Sequence, residues 1–146
     1  MENLEILAEF NFKTHIEIRF SDFDLQGHVN NALYLTYFEQ ARIKYWQHFL
    51  EWDWTIYGIV VAKAEVNYIT PLLMGDKIEV HVRTSKLNNT SFQLDYIIVS
   101  TNEEGKTTIT TKGSTLLVVI DIQKQKPVAI PQLQRNQIIN FDKLEA

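Results

Sequence analysis

The chain has 146 residues, of which 45% are apolar, and this suits one folded domain over 1–146 with a sizeable core. A formal charge of -4 and scattered Lys and Arg argue against nucleic acid as the main partner, and the absence of cysteine excludes a disulfide framework, a thiol nucleophile and a thiolate metal site. No apolar run approaches the roughly 18 residues of a membrane span, and the start MENLEILAEF has neither the basic nor the long apolar region of a signal peptide, so a cytoplasmic protein with no membrane partner is expected.

Phe12 to Phe20 alternates, with Phe12, Ile16, Ile18 and Phe20 on one face and Lys13, His15, Glu17 and Arg19 on the other, which predicts a half-buried strand. A polar run, SDFDLQGHVNN, follows at Ser21 to Asn31. From Ala32 to Leu50 the period changes: Tyr34, Phe38, Ala41, Tyr45 and Phe49 recur at spacings of three and four, the mark of a helix face. Leu33, Leu35, Tyr37, Ile43 and Trp46 widen that face, so the helix is expected to be wrapped by other elements. Four further stretches read as strands, at Ile59 to Ile69, Lys77 to Lys86, Ser91 to Thr101 and Thr107 to Ile122. PLLMGDK, LNNT and NEEGK carry the Pro, Gly and Asn punctuation of tight antiparallel connections. The order is that of an α+β domain, and a short terminal helix or strand is expected around Ile138 to Phe141.

The polar run admits two readings from its residues alone. An aspartate ahead of a helix most often shapes a turn or caps, and Asn30 and Asn31 are ordinary N-cap residues. The less common alternative is a reaction site, because a carboxylate beside the unpaired amides of a helix start offers both a base or nucleophile and donors for a developing oxyanion. Glu39 and Arg42, three apart, form either a surface ion pair or part of such a site. His15, His48 and His81 have no metal-ligand spacing.

IRFSDFDLQGHVNNALYLTYFEQAR resembles the signature of the hotdog-fold acyl-CoA thioesterases related to 4-hydroxybenzoyl-CoA thioesterase, and VNYITPLLMGDKIEV resembles the strand and turns that follow the family's central helix. The resemblance implies a five-stranded antiparallel sheet wrapped around one long helix, in homodimers or homotetramers with active sites at the subunit interface. It implies hydrolysis of an acyl-CoA to free acid and CoA, without metal or cofactor. Asp24 matches the family's base or nucleophile, Gly27 its turn glycine, and the amides of about Val29 to Asn31 its oxyanion hole; Asn31 enters through its backbone. His28, four residues after Asp24, resembles the catalytic histidine of the plant acyl-carrier-protein thioesterases, where an asparagine stands in place of Gln26. Gln26, Tyr34 and Phe38 are the expected substrate-side residues. Arg83 and Lys86, with Lys112 and Lys63 behind them, are the basic candidates for the CoA phosphates. An acyl carrier protein as acyl donor, and a binding module without catalysis, are the alternative readings.

Overall fold

Each alternating stretch finds its partner in the computed structural model, which describes residues 4–145. The elements are β1 (Phe12–Ile16), α1 (Leu33–Phe49), β2 (Tyr57–Tyr68), β3 (Lys77–Leu87), β4 (Ser91–Thr101), β5 (Thr107–Asp121), β6 (Lys126–Pro127) and α2 (Gln132–Asp142). The five longer strands run in the order β1-β3-β4-β5-β2, every neighbour antiparallel. The sheet curls around α1, as an antiparallel sheet with one apolar face does when a single helix is available to cover it.

Two expectations need correction. A sixth strand exists: Asp121 accepts the Lys124 amide on its side chain and the Gln125 amide on its carbonyl, and this turn folds Lys126 and Pro127 back onto β5. The first strand stops at Ile16 rather than Phe20, because its partner Ile78 lies one residue from the start of β3 and no ladder remains for the residues beyond. The helix, at 17 residues, is about 25 Å long.

The inner sheet face is built from alternate residues: Ile78, Val80 and Val82 of β3, Phe92, Leu94, Tyr96 and Ile98 of β4, and Leu117 and Val119 of β5. They close on Tyr37, Phe38, Ala41 and Tyr45 of α1, and each fully buried side chain of this size contributes about 1.5–3 kcal/mol. Phe38 lies flat on Tyr96, with centroids 4.3 Å apart. The slot for its ring is Gly113, where an added Cβ would collide with Phe38 and lie 2.8 Å from the Glu65 carbonyl. Leu35 and Ile43, expected on the buried face, are exposed instead, so the covered arc of α1 is narrower than its composition suggests.

Two termini dress this frame. A 3-10 segment over Leu4–Glu9 lays Ile6, Leu7 and the following Phe10 on Ile97, Val99 and Ile109 of the outer sheet face. Helix α2 docks by stacking Phe141 on Phe49, centroids 4.2 Å apart, and by the Asp142 carboxylate, which accepts from the Tyr45 hydroxyl and, at 2.8 Å, from the Thr84 amide of β3. Burial raises the Asp142 carboxyl above its ordinary range. Among the described residues no helix is long and apolar enough to cross a membrane.

Candidate active site

The segment between β1 and α1 is a clamp closed by its own backbone. Arg19 is extended, and a 3-10 turn over Phe20–Asp22 reverses the chain. Asp22 is buried and accepts from the Arg19 amide at 3.0 Å, from the Arg19 side chain, and from the Tyr37 hydroxyl at 2.7 Å. Burial alone would raise this carboxyl; the Tyr37 hydroxyl, then the Arg19 amide and guanidinium, outweigh it and hold the group below its ordinary value. The Tyr37 phenol moves up for the matching reasons, burial first and the Asp22 carboxylate second.

Beyond Asp22 the chain makes a narrow loop. Phe23 pairs with Val29, and Asp24 and His28 exchange bonds inside that bridge. The Asp24 amide donates to the His28 carbonyl at 2.7 Å, and one Asp24 carboxylate oxygen accepts from the amides of Gln26 at 2.8 Å and His28 at 3.1 Å. Gly27 completes the turn at φ +76, a left-handed conformation that glycine adopts without penalty. The second Asp24 oxygen has no hydrogen-bond partner among the described residues, and Asp24 is exposed. The His28 ring makes no hydrogen bond among the described residues; its backbone instead pairs with Leu73 in the β2–β3 connection.

The helix start differs from the expectation in its free donors. The Val29 amide is taken by the Leu72 carbonyl at 3.0 Å and the Asn30 amide by the Asp22 carbonyl at 2.9 Å, so of the three amides expected as an oxyanion hole these two are spent on holding the loop. Neither asparagine caps the helix: the N-cap is Ala32, without a side-chain cap bond, and Asn30 closes the turn before it, its side-chain oxygen accepting from the Ala32 amide at 3.0 Å and its carbonyl from Leu33. The Asn31 amide has no partner among the described residues, while the Asn31 carbonyl accepts from the Tyr68 hydroxyl at 2.9 Å. Tyr68 meets Tyr34 edge to face at 4.8 Å, and the Tyr34 hydroxyl accepts from the Leu72 amide at 3.4 Å. Burial raises the Tyr34 phenol.

Asp24, Gln26, Gly27, His28 and Asn31 thus share one loop, with Tyr34 one turn further along α1. Phe38 is sealed in the core against Tyr96. Arg83 and Lys86 lie six and nine residues into β3, about 20 to 30 Å along the strand from its Lys77 end, where Ile78 pairs with Ile16. Arg83 is engaged there by Glu9 at 3.4 Å and Asp95 at 3.6 Å, with its guanidinium over the Phe10 ring; Lys86 is exposed. Lys63 is exposed on β2 and Lys112 half-buried on β5. Arg42 is buried and meets Glu39 at 3.6 Å. Tyr68 and Leu72 escaped the sequence reading, since nothing in a strand end or a Pro-Leu-Leu turn signals that it will grip a loop forty residues upstream.

Exposed apolar side chains flank the polar loop that carries Asp24. Leu25 and Phe20 are almost wholly exposed, at 107% and 84%, and Leu73 and Met74 are half exposed beside them. A cleft of about 590 Å³ opens between the end of β1 and the β2–β3 connection, its walls mixing Ile18, Phe20, Phe23 and Met74 with Glu17, Asp76 and Lys77.

Residues 18–138 match the model of the thioesterase-like superfamily. The chain is 30% identical over 121 residues to the long-chain acyl-CoA thioesterase FadM of Escherichia coli K12, covering 81% of this chain and 89% of that protein. It is 26% identical over 125 residues to the acyl-CoA thioester hydrolase YbgC of E. coli O6:H1, with 83% and 90% covered. A crystal structure of a Thermus thermophilus thioesterase complexed with coenzyme A and Zn superposes with a TM-score of 0.79 at 33% identity, over 94% of this chain and 98% of that one. A match over this span, together with a sheet curled around one helix, identifies the chain as a member of the thioesterase-like superfamily.

Proposed function

We propose that this protein is an acyl-CoA thioesterase, hydrolysing the thioester to a free carboxylic acid and CoA with Asp24 as base or nucleophile. One observation carries the reading: two backbone amides fix one Asp24 oxygen while the other has no partner among the described residues, in a chain of a thioester-hydrolase family. A carboxylate held this way is oriented before substrate arrives. As a base it takes a proton from water, the hydroxide adds to the carbonyl carbon, and the tetrahedral intermediate collapses with loss of the CoA thiolate, which is then protonated. As a nucleophile it adds directly to the carbonyl carbon, the C–S bond breaks to release CoA thiolate, which is then protonated, and water hydrolyses the resulting mixed anhydride to free acid and the Asp24 carboxylate. In both routes charge grows on the carbonyl oxygen, and the Asn31 amide, free at the helix start, is the donor proposed to receive it.

The exposed apolar collar of Phe20, Leu25, Leu73 and Met74 suits an acyl substrate, and with Arg83 paired to Glu9 and Asp95, Lys86 and Lys63 are the exposed basic candidates for a CoA phosphate. A second copy is proposed to pair along β2, a 12-residue edge strand on which Val60 and Val61 are about half exposed. The unengaged His28 ring and the presence of Gln26 favour the simpler aspartate chemistry over the Asp-Asn-His arrangement of the carrier-protein enzymes.

The test is thiol release from short, medium, long and aromatic acyl-CoAs by the wild type and by Asp24→Asn. Release that Asp24→Asn abolishes supports the reading. Undiminished release by Asp24→Asn removes Asp24 from the mechanism, and no release from any ester by the wild type removes the activity. One acyl group compared on CoA and on acyl carrier protein decides the carrier.

A further inference from the structure

Asp22 and Asp24 stand two residues apart in opposite surroundings, the first 1% exposed and the second open to solvent. The bonds that Asp22 accepts on its carboxylate are of two kinds. The Arg19 amide at 3.0 Å and the Arg19 side chain at 3.2 Å come from three residues upstream, so they shape the turn without fixing its place on the molecule. The Tyr37 hydroxyl donates at 2.7 Å from 15 residues away, and among the described residues it is the only group of another element that does so. A hydroxyl on a buried, charged acceptor makes one of the stronger and more directional side-chain bonds.

The ring that carries this hydroxyl has little freedom of its own. Tyr37 is buried in α1 and meets Tyr34 at a centroid distance of 6.2 Å. It lies one turn beyond Leu33, where α1 begins, so the helix that follows Asn31 also carries the anchor of Asp22.

Through Asp22 the same bond reaches both sides of the proposed chemistry. Asp24 follows Asp22 by two residues, while the Asp22 carbonyl accepts the Asn30 amide at 2.9 Å, one residue before the free Asn31 amide. The carboxylate and the oxyanion donor are thereby referred to one rigid helix. A second tether, the Val29 amide on the Leu72 carbonyl at 3.0 Å, holds the far side of the loop to the β2–β3 connection. Loss of the Tyr37 hydroxyl therefore shifts the loop without freeing it, and the Arg19 bonds keep the turn itself in shape.

We propose that Tyr37 is a positioning residue, its hydroxyl acting through Asp22 to set where the Asp24 carboxylate stands relative to the Asn31 amide. The assignment rests on the thioesterase reading and adds to it a residue that touches no reacting atom. Tyr37→Phe keeps the ring and removes only the hydroxyl. A misplacement of about 1 Å costs roughly 100-fold in rate, and with the Leu72 tether still in place kcat for octanoyl-CoA or benzoyl-CoA should fall about tenfold, with KM within about twofold of wild type. An unchanged kcat, or a loss confined to KM, overturns the proposal. Asp22→Ala and the double variant complete a cycle. If Tyr37 acts through Asp22, adding Tyr37→Phe to Asp22→Ala costs no further turnover, and losses that multiply overturn the route through Asp22. Amide hydrogen exchange supplies a readout that needs neither turnover nor a folded Asp22→Ala. In Tyr37→Phe the Asn30 amide should exchange about tenfold faster than in the wild type, beyond any change at Val80 and Ile98 in the core strands. Equal acceleration at all three sites is general softening and overturns the positioning role. The two levels separate cleanly: selective exchange at Asn30 with no thiol release by the wild type discards the thioesterase and keeps the tether, whereas wild-type release with equal kcat in Tyr37→Phe keeps the thioesterase and discards the positioning role.

Discussion

Asp24 and His28 are bonded to each other twice, the Asp24 amide to the His28 carbonyl at 2.7 Å and the His28 amide to the Asp24 carboxylate at 3.1 Å. The residue proposed to perform the chemistry is thus also the residue that closes its own loop. Substitutions should separate these jobs. Asp24→Asn retains a side-chain oxygen for the Gln26 and His28 amides, so thiol release should fall at least about 100-fold while the melting temperature stays level. Asp24→Ala loses both and should also melt about 3 °C lower by calorimetry. Equal melting of the two variants would show that the carboxylate does not hold the loop.

Gly27 has room for a side chain, since nothing lies within 4 Å of an added Cβ, yet its φ of +76 penalises one. Gly27→Ala should cost about 1–2 kcal/mol in urea unfolding and Gly27→Asn less, because asparagine visits the left-handed region more readily. The reverse order would place the requirement in space rather than in backbone conformation.

Gly113 presents the opposite case. Its φ is ordinary, but the Phe38 ring and the Glu65 carbonyl fill the volume beside it. Gly113→Ala should destabilise by about 1–3 kcal/mol, and Gly113→Ala with Phe38→Leu should recover part of the loss. Unfolding titrations of the two variants check this, and strict additivity would separate the two positions.

His81 is buried on the outer sheet face against Phe10, and burial, the largest cause, lowers its pKa from the ordinary 6.5. The neutral ring is favoured in the folded state, so its contribution is fully present above pH 6.5 and is lost as pH falls from there through the lowered folded value. His81→Gln should flatten the stability profile across that window. Asp22 acts lower down: its depressed carboxyl stabilises above 3.8, and the contribution goes as pH falls through the folded value.

Val61 stands half exposed on the inner face of the β2 edge. Val61→Glu should shift the protein toward the monomer in analytical ultracentrifugation with little change in its far-UV circular dichroism. An unaltered sedimentation profile would move the proposed contact off this strand.

What could be read in the sequence was what repeats locally. Tyr34, Phe38, Ala41 and Tyr45 follow the helical period and are all buried, and Phe92, Leu94, Tyr96 and Ile98 alternate into the core. Local period does not encode which distant groups meet. The Asp22–Tyr37 bond, the grip of Leu72 on Val29 and of Tyr68 on Asn31, and the 3-10 segment over the outer sheet face all depend on topology, so the clamp around Asp24 was invisible although most of its residues were named. The same limit explains the amides: a helix start promises free donors, but whether a carbonyl elsewhere has claimed them is a tertiary fact.

The carboxylate of Asp142 on the Thr84 amide bears on how copies of this chain add to one another. On the β1 side the sheet ends in a five-residue strand carrying Lys13 and His15, and where that strand runs out α2 occupies the next amide of β3. On the β2 side the margin is a 12-residue strand with no further strand beside it among the described residues. A sheet with one guarded margin and one receptive margin, paired as proposed above, would meet another copy receptive side to receptive side and leave no receptive margin behind. On the pairing proposed along β2, growth by strand addition would terminate at two copies instead of running on into a filament, and a chain cut back before Gln132 would lose part of that protection.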